Sequence, residues 1–180
     1  KIKPEDAVQI TTAAAVSVCK ALEKLGVFDA KIKWVNDIYI GNQKVCGILT
    51  ESSFNPQSEI LDFAVLGVGI NIYESEEGFP DEIKDIAGAV FSQREENLRN
   101  KFIAEFINAF FGYYNVLSSK KHMKEYKEKC PAMVIGGKCG SFLGEYQAGG
   151  VIVVLGLCDD GKEIVSNFPC TGMHGGKMFL

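Results

Sequence analysis

Residues 33–51 read KWVNDIYIGNQKVCGILTE, and the rest of the chain is organised around them. From residue 31 onward Ile32, Trp34, Ile38, Ile40, Val45, Ile48 and Leu49 alternate imperfectly with polar residues, a period near two that predicts strands. Gly41-Asn42 supplies the turn chemistry of a hairpin. Asn36-Asp37 falls at a break between strands, where side chains face a ligand or stabilise a turn through their own backbone. Lys44 lies just beyond the Gly41-Asn42 turn and, taken alone, reads first as a solvated turn lysine. Gly47 lets a ligand or another backbone approach closely.

C-terminal to this stretch, residues 52–58 read as a polar loop, and residues 60–72 (ILDFAVLGVGINI) read as a strand buried on both faces. Three adjacent strands with short connections predict an antiparallel meander. Gly67 and Gly69 occupy positions where bulky residues would strengthen the strand, so something close is expected to fill the space. Asn71 adds donor and acceptor groups at the strand's end. The Gly67-x-Gly69 pair is not a dinucleotide loop, because the third glycine and the following helix are missing.

On the N-terminal side, Pro4, Glu5 and Asp6 mark a helix start, and residues 7–25 carry an Ala-rich apolar face with Val8, Val16, Cys19, Leu22 and Leu25. Gly26 is placed to end it. Further on, Gly78-Phe79-Pro80 opens a short acidic helix over 81–87, and residues 95–117 form an amphipathic helix with Leu98, Phe102, Ile103, Phe106, Ile107 and Phe110 on its core face. The basic run 120–129 reads as a solvated helix face. After Cys130-Pro131 glycine and β-branched residues take over, with strands over 151–157 and 164–168 around an Asp159-Asp160-Gly161 turn. The expected fold is α+β: a body over 1–130, with an antiparallel or mixed sheet packed against helices, and a small β domain over 131–180.

Composition narrows the function. Hydrophobic residues make up 47% of the 180, enough for a real core, and charged residues 23%, typical of a folded protein. A net charge of −4 argues against a nucleic-acid surface. Six cysteines without a CxxC pair, and only His122 and His174, offer no zinc site and read as reduced thiols. With no signal peptide visible and no apolar run longer than 151–158, the expected location is the cytoplasm. The chain opens on Lys1 and enters a helix almost at once, as the middle of a longer protein would.

Together, KWVND (33–37), K-x-x-G-I-L-x-E (44–51) and G-V-G-I-N (67–71) resemble the core of biotin–protein ligases, whose usual forms are KWPND, KxxGILxE and GxGIN, over roughly residues 5–118. Val35 stands where that family usually has proline, and its Gly/Arg-rich loop has no counterpart here, which predicts weak activity for this chain alone. The resemblance implies a class II synthetase-like core with a C-terminal SH3-like barrel. It implies ATP-dependent activation of biotin to biotinyl-5′-AMP, with Mg2+, and transfer to a lysine of a biotin carboxyl carrier protein, with a homodimer as a further expectation. Lys44, Asp37 and Asn36 would be catalytic, Asp37 with a place near magnesium. Lys44, Trp34, Gly47, Ile48, Gly67, Gly69 and Asn71 would bind biotin and the adenylate. A lipoate or octanoyl ligase or transferase of the same fold, or a non-catalytic ligand-binding remnant, is the alternative.

Overall fold

The computed structural model describes residues 4–33, 35–55, 60–130, 132–144, 150–157, 163–173 and 176–180. The chain divides into two compact units, Lys1–Tyr126 and Lys127–Leu180. Trp34, Cys158, the Asp159-Asp160-Gly161 turn and His174 lie outside the described residues.

The first unit begins with α1 (Pro4–Lys24). Small side chains at Ala13, Ala14, Ala15 and Ser17 are fully buried together with Val16, Val18, Cys19 and Leu22, so this helix is enclosed almost all round. It ends where expected. The Gly26 amide donates to Glu23 O at 3.0 Å and the Val27 amide to Leu22 O at 2.9 Å, the paired bonds of a glycine-terminated helix, with Gly26 at φ 87.

Four strands follow in an antiparallel meander, β1 (Lys31–Lys33), β2 (Asp37–Ile40), β3 (Gln43–Asn55) and β4 (Ile60–Ile70), in the spatial order β1-β2-β3-β4. The two-residue β2–β3 turn has Gly41 at φ 58, the conformation required at the first central position of a hairpin turn whose twist matches its strands. The face turned to α1 carries Ile32, Ile38, Cys46 and Ile48, all buried, and the Thr11 hydroxyl donates to Thr50 across that interface at 2.8 Å. Each fully buried isoleucine contributes on the order of 2 kcal/mol.

The strands correct two expectations. Residues 52–55 belong to β3, not to a polar loop. β4 is not buried on both faces: Phe63 and Val65 are more than half exposed, because α1 covers one side of the sheet and β4 is its edge strand. Its apolar run therefore lines an open face.

The helices also differ from their sequence reading. Residues 81–86 form successive turns rather than a helix, and Ala87 bridges to Lys44, whose amide and carbonyl bond Ile86 and Gly88. The long helix α2 (Leu98–Tyr114) starts after Asn97 in the left-handed region, not at Glu95. On it Leu98 and Phe102 are buried, whereas Ile103 and Ile107 are exposed; the stripe is wider than the surface α1 offers. A 3-10 turn (Leu117–Ser119) leads to α3 (His122–Lys129). Its lysines are solvated, but His122 and Tyr126 are fully buried, so the basic run is anchored rather than simply solvated.

The second unit contains β5 (Ala132–Ile135), β6 (Val151–Val154) and β7 (Lys177–Phe179), paired in parallel in that order. Ile152, Val154 and Val165 form its core with Ile135, Cys139, Leu143 and Met178. Among the described residues these elements do not make the SH3-like barrel expected, which needs antiparallel hairpins. Residues 164–168 supply only an isolated bridge, Val165 to Cys139.

His122 shares a 2.9 Å hydrogen bond with the Thr12 hydroxyl, and burial pushes its pKa down from 6.5 to about 4. The fold therefore holds this ring neutral while the unfolded chain protonates it near 6.5. The stability tied to it is complete above pH 6.5 and is lost as pH falls from there towards 4, by at most about 3 kcal/mol. Denaturant midpoints at pH 7.5 and 5 should differ in the native protein, and His122→Gln should flatten that difference; equal slopes in both would rule out His122 as its source.

Candidate functional site

The open face of the sheet, opposite α1, gathers the residues singled out in the sequence. Asp37 pairs with Gly47, Gly47 with Gly69, and Leu49 with Gly67, so these positions share one face. Lys44 reaches it through a β-bulge. Ile38 pairs with Cys46 but the next residue, Tyr39, pairs with Lys44, leaving Val45 as an extra residue on β3. With regular pairing instead of the bulge, Lys44 would share the parity of Cys46 and point towards α1.

Lys44 Nζ lies 2.7 Å from Asp37 Oδ1. The lysine is 40% exposed and the aspartate 22%, so for the fold the pair is worth about 1 kcal/mol or less. Its importance is geometric. Gly47 lies directly beneath the lysine: a Cβ there would stand 3.3 Å from Lys44 Cε and 3.4 Å from Nζ. Gly67 and Gly69 would meet only carbonyl oxygens, Leu49 O at 3.7 Å and Gly47 O at 3.8 Å, so they leave a bare floor with room above it.

The backbone of Lys44 is held by a strap. Its amide donates to Ile86 O at 2.7 Å, and the Gly88 amide donates to its carbonyl at 2.9 Å. Gly88 fits because a Cβ would come within 2.6 Å of the Gln43 side chain. Asn71 locks the strap from the other side, its Nδ2 donating to Gly88 O at 3.0 Å while its carbonyl accepts from Val90. Ile83 and Ile86, both about half exposed, stand beside Lys44 as an apolar wall.

Two cavities meet at Asp37, Lys44, Gly47 and Gly69. One, about 640 Å³, runs beneath Ile83 and Ile86; the other, about 550 Å³, runs over Gly67 and Leu49. They make one open groove with its cation at the centre. The Cys46 thiol faces α1 rather than the groove, and burial pushes it up to about 12, which excludes it as a thiolate nucleophile.

The structure thus brings Lys44, Asp37, Gly47, Gly67 and Gly69 together, and redirects three predicted residues. The Asn36 side chain donates to Ile48 O at 2.7 Å while the Ile48 amide donates to Asn36 O at 2.9 Å, a reciprocal clamp of turn to strand. Ile48 takes part through that backbone, its side chain pointing into the core. Asn71 spends its amide nitrogen on the strap. Trp34 lies outside the described residues. Sequence reasoning missed Ile83, Ile86 and Gly88; apolar residues spaced inside an acidic segment were the available signal. Among the described residues Asp37 is the one carboxylate that lines the groove, 2.7 Å from Lys44, and no group of three or more His, Cys, Asp or Glu side chains suited to a metal occurs.

Comparison with known proteins places this groove in context. Residues 1–71 match the biotin/lipoate A/B protein ligase family. The bifunctional ligase/repressor BirA of Bacillus subtilis (strain 168) is 37% identical over 90 residues, 50% of this chain and 27% of that protein; that of Bacillus spizizenii matches to the same extent. An uncharacterised protein of Methanocaldococcus jannaschii is 45% identical over 62 residues, 33% of this chain and 24% of its own. A mutant Aquifex aeolicus biotin protein ligase in complex with biotin superposes with a TM-score of 0.57 at 24% identity, over 72% of this chain and 55% of that one. The same enzyme with biotin and ATP gives 0.51 at 22% identity, over 80% and 57%. At these identities the structures establish likeness of fold, an α+β body with an antiparallel sheet. The match spans about a quarter of the curated relatives' length and little more than half of the solved chains.

Gly47→Ala should push Lys44 off Asp37 and weaken binding of a carboxylate–phosphate ligand about tenfold, with little change in melting temperature. Calorimetry beside thermal unfolding checks this; unchanged affinity would show that Lys44 tolerates the methyl group.

Proposed function

We propose that the chain is a member of the biotin–protein ligase family and that its groove serves ATP-dependent activation of biotin and transfer of the biotinyl group to a carrier-protein lysine. The observation that carries this is the Lys44–Asp37 pair at 2.7 Å above a floor of Gly47 and Gly69. In the first step the biotin carboxylate oxygen attacks the α-phosphorus of ATP, and pyrophosphate leaves. Carboxylate and phosphate repel each other, so the step needs a fixed cation touching both. Lys44 suits that role: a compact ammonium, reached from either arm of the groove. At rest Asp37 holds the ammonium in place; as the anions enter, Lys44 turns to them without leaving the groove's centre.

The groove's two arms match the two halves of the adenylate. The bare strip over Gly67 and Leu49 takes a slender apolar acid, and the Ile83–Ile86 wall takes the flat face of a base. In the second step a carrier lysine, as free amine, attacks the acyl carbon of biotinyl-5′-AMP; AMP leaves and the amine's proton goes to solvent. Asp37 and Asn36 support this as positioning groups, and Asn71 through the strap it locks. The partner is a biotin carboxyl carrier protein, in keeping with the ligase relatives. A cytoplasmic setting accords with the free thiols of Cys46, Cys139 and Cys170. No helix among the described residues is long and apolar enough to cross a membrane.

A non-hydrolysable biotinyl-adenylate analogue should bind in calorimetry at least about tenfold more tightly than its lipoyl counterpart, and Lys44→Ala should weaken it about a hundredfold. Preference for the lipoyl compound would move the protein to the lipoate branch. Indifference to Lys44→Ala would remove the lysine from the mechanism.

A further inference from the structure

The geometry points to Tyr126 as a positioning residue for the Lys44–Asp37 pair, an assignment that rests on the ligase reading of the groove. Tyr126 is the largest of the fully buried side chains, on a helix whose remaining residues are mostly charged. Its hydroxyl donates to the main-chain oxygen of Val35 at 3.1 Å. Val35 and Asn36 belong to the turn between β1 and β2, and Asp37 is the residue that follows. The turn is therefore gripped from two sides. Ile48 and Asn36 bind it to β3 through reciprocal bonds of 2.7 and 2.9 Å, and Tyr126 binds it to α3.

The consequence runs through Asp37. Its carboxylate meets Lys44 at 2.7 Å only if the turn sits at one height over β3. The ladder pairs of Asp37 with Lys33 and Gly47, and the clamp of Asn36 to Ile48, hold the turn from the sheet. The Tyr126 hydroxyl holds it at Val35, on the side that faces α3. It is not needed to attach α3, because His122, one helical turn earlier on the same buried face, already joins α3 to α1 through Thr12 at 2.9 Å. A purely structural role would fall on both residues alike, whereas Tyr126 alone of the two touches the turn that carries Asp37.

Tyr126→Phe keeps the ring and deletes the bond. Two readouts on the whole chain decide the matter, with His122→Gln as the structural control. Hydrogen exchange of the Ile48 amide, which bonds Asn36 O, should quicken about tenfold in Tyr126→Phe while amides in the buried middle of α1 keep their rates. In His122→Gln, Ile48 should move no more than those α1 amides. Affinity for the biotinyl-adenylate analogue should fall about tenfold in Tyr126→Phe, and by less than about twofold when Asp37→Asn is already present, because both changes then act on one pair. An unchanged Ile48 amide, exchange that quickens equally throughout the unit, equal affinity losses in both backgrounds, or a Tyr126→Phe chain that fails to fold would each overturn the assignment. If the unmutated protein binds no adenylate analogue, the ligase reading fails, and the Ile48 amide still decides whether Tyr126 sets the turn.

Discussion

One extra residue in β3 sets the direction of Lys44, and the groove depends on it. In a regular ladder side chains alternate with a period of two, so residues two apart share a face and neighbours oppose each other. Cys46 faces α1, and with regular pairing Lys44 would face it too, placing an ammonium in the core at prohibitive desolvation cost. Val45 absorbs the register change, and Tyr39 opposite pairs with Lys44 in its place. A core position becomes a site position without altering the strands' direction. The bulge also leaves the amide and carbonyl of Lys44 to bond Ile86 and Gly88, so the residue that must be placed most accurately is held by its backbone as well as its side chain.

Stability and chemistry thus occupy opposite faces of the same strands. Ile38, Cys46 and Ile48 pack towards α1 and supply hydrophobic stabilisation, while Asp37 and Gly47, their immediate neighbours in sequence, and Lys44 supply almost none. The exposed ion pair is too weak to hold the fold together, so its partners can be exchanged for a ligand at little cost to it. The same logic explains the bare glycines. A side chain at residues 67 or 69 would strengthen an edge strand, but it would stand in the groove.

Much of this was legible because local chemistry and global fold agree. The Ala-rich helix, its Gly26 end and the Gly41 hairpin follow from residue types at fixed spacings, whereas Asp37, Lys44 and Gly47 were singled out together by the resemblance of their segment to a family core. The bulge was visible only as imperfect alternation between Ile40 and Val45, which sequence alone cannot distinguish from noise. Asn36 and Asn71 looked like ligand contacts because an exposed amide at a strand end serves either purpose; the structure spends them on Ile48 O and Gly88 O. Tyr126 was concealed in a basic run whose charges mask one buried face. The run 60–72 suggested burial on both sides because hydrophobicity registers the residues and not the layer that covers them. The strap over 81–88 looked helical from its composition, whereas its course is decided by a long-range bond to Lys44.

The resting ion pair also shapes what the groove selects. Lys44 already holds one carboxylate, its own, so an incoming acid with a single carboxylate exchanges one anion for an equivalent one and gains little from the lysine. A ligand that brings carboxyl and phosphoryl oxygens together offers the ammonium more than Asp37 does, at the point where the two arms of the groove meet. On the proposed reaction, charge gathering on those oxygens as acid and phosphate join would be met by a cation that the free acid could scarcely recruit. That would be binding weighted towards the transition state over the substrate, arising from an aspartate that the ligand displaces.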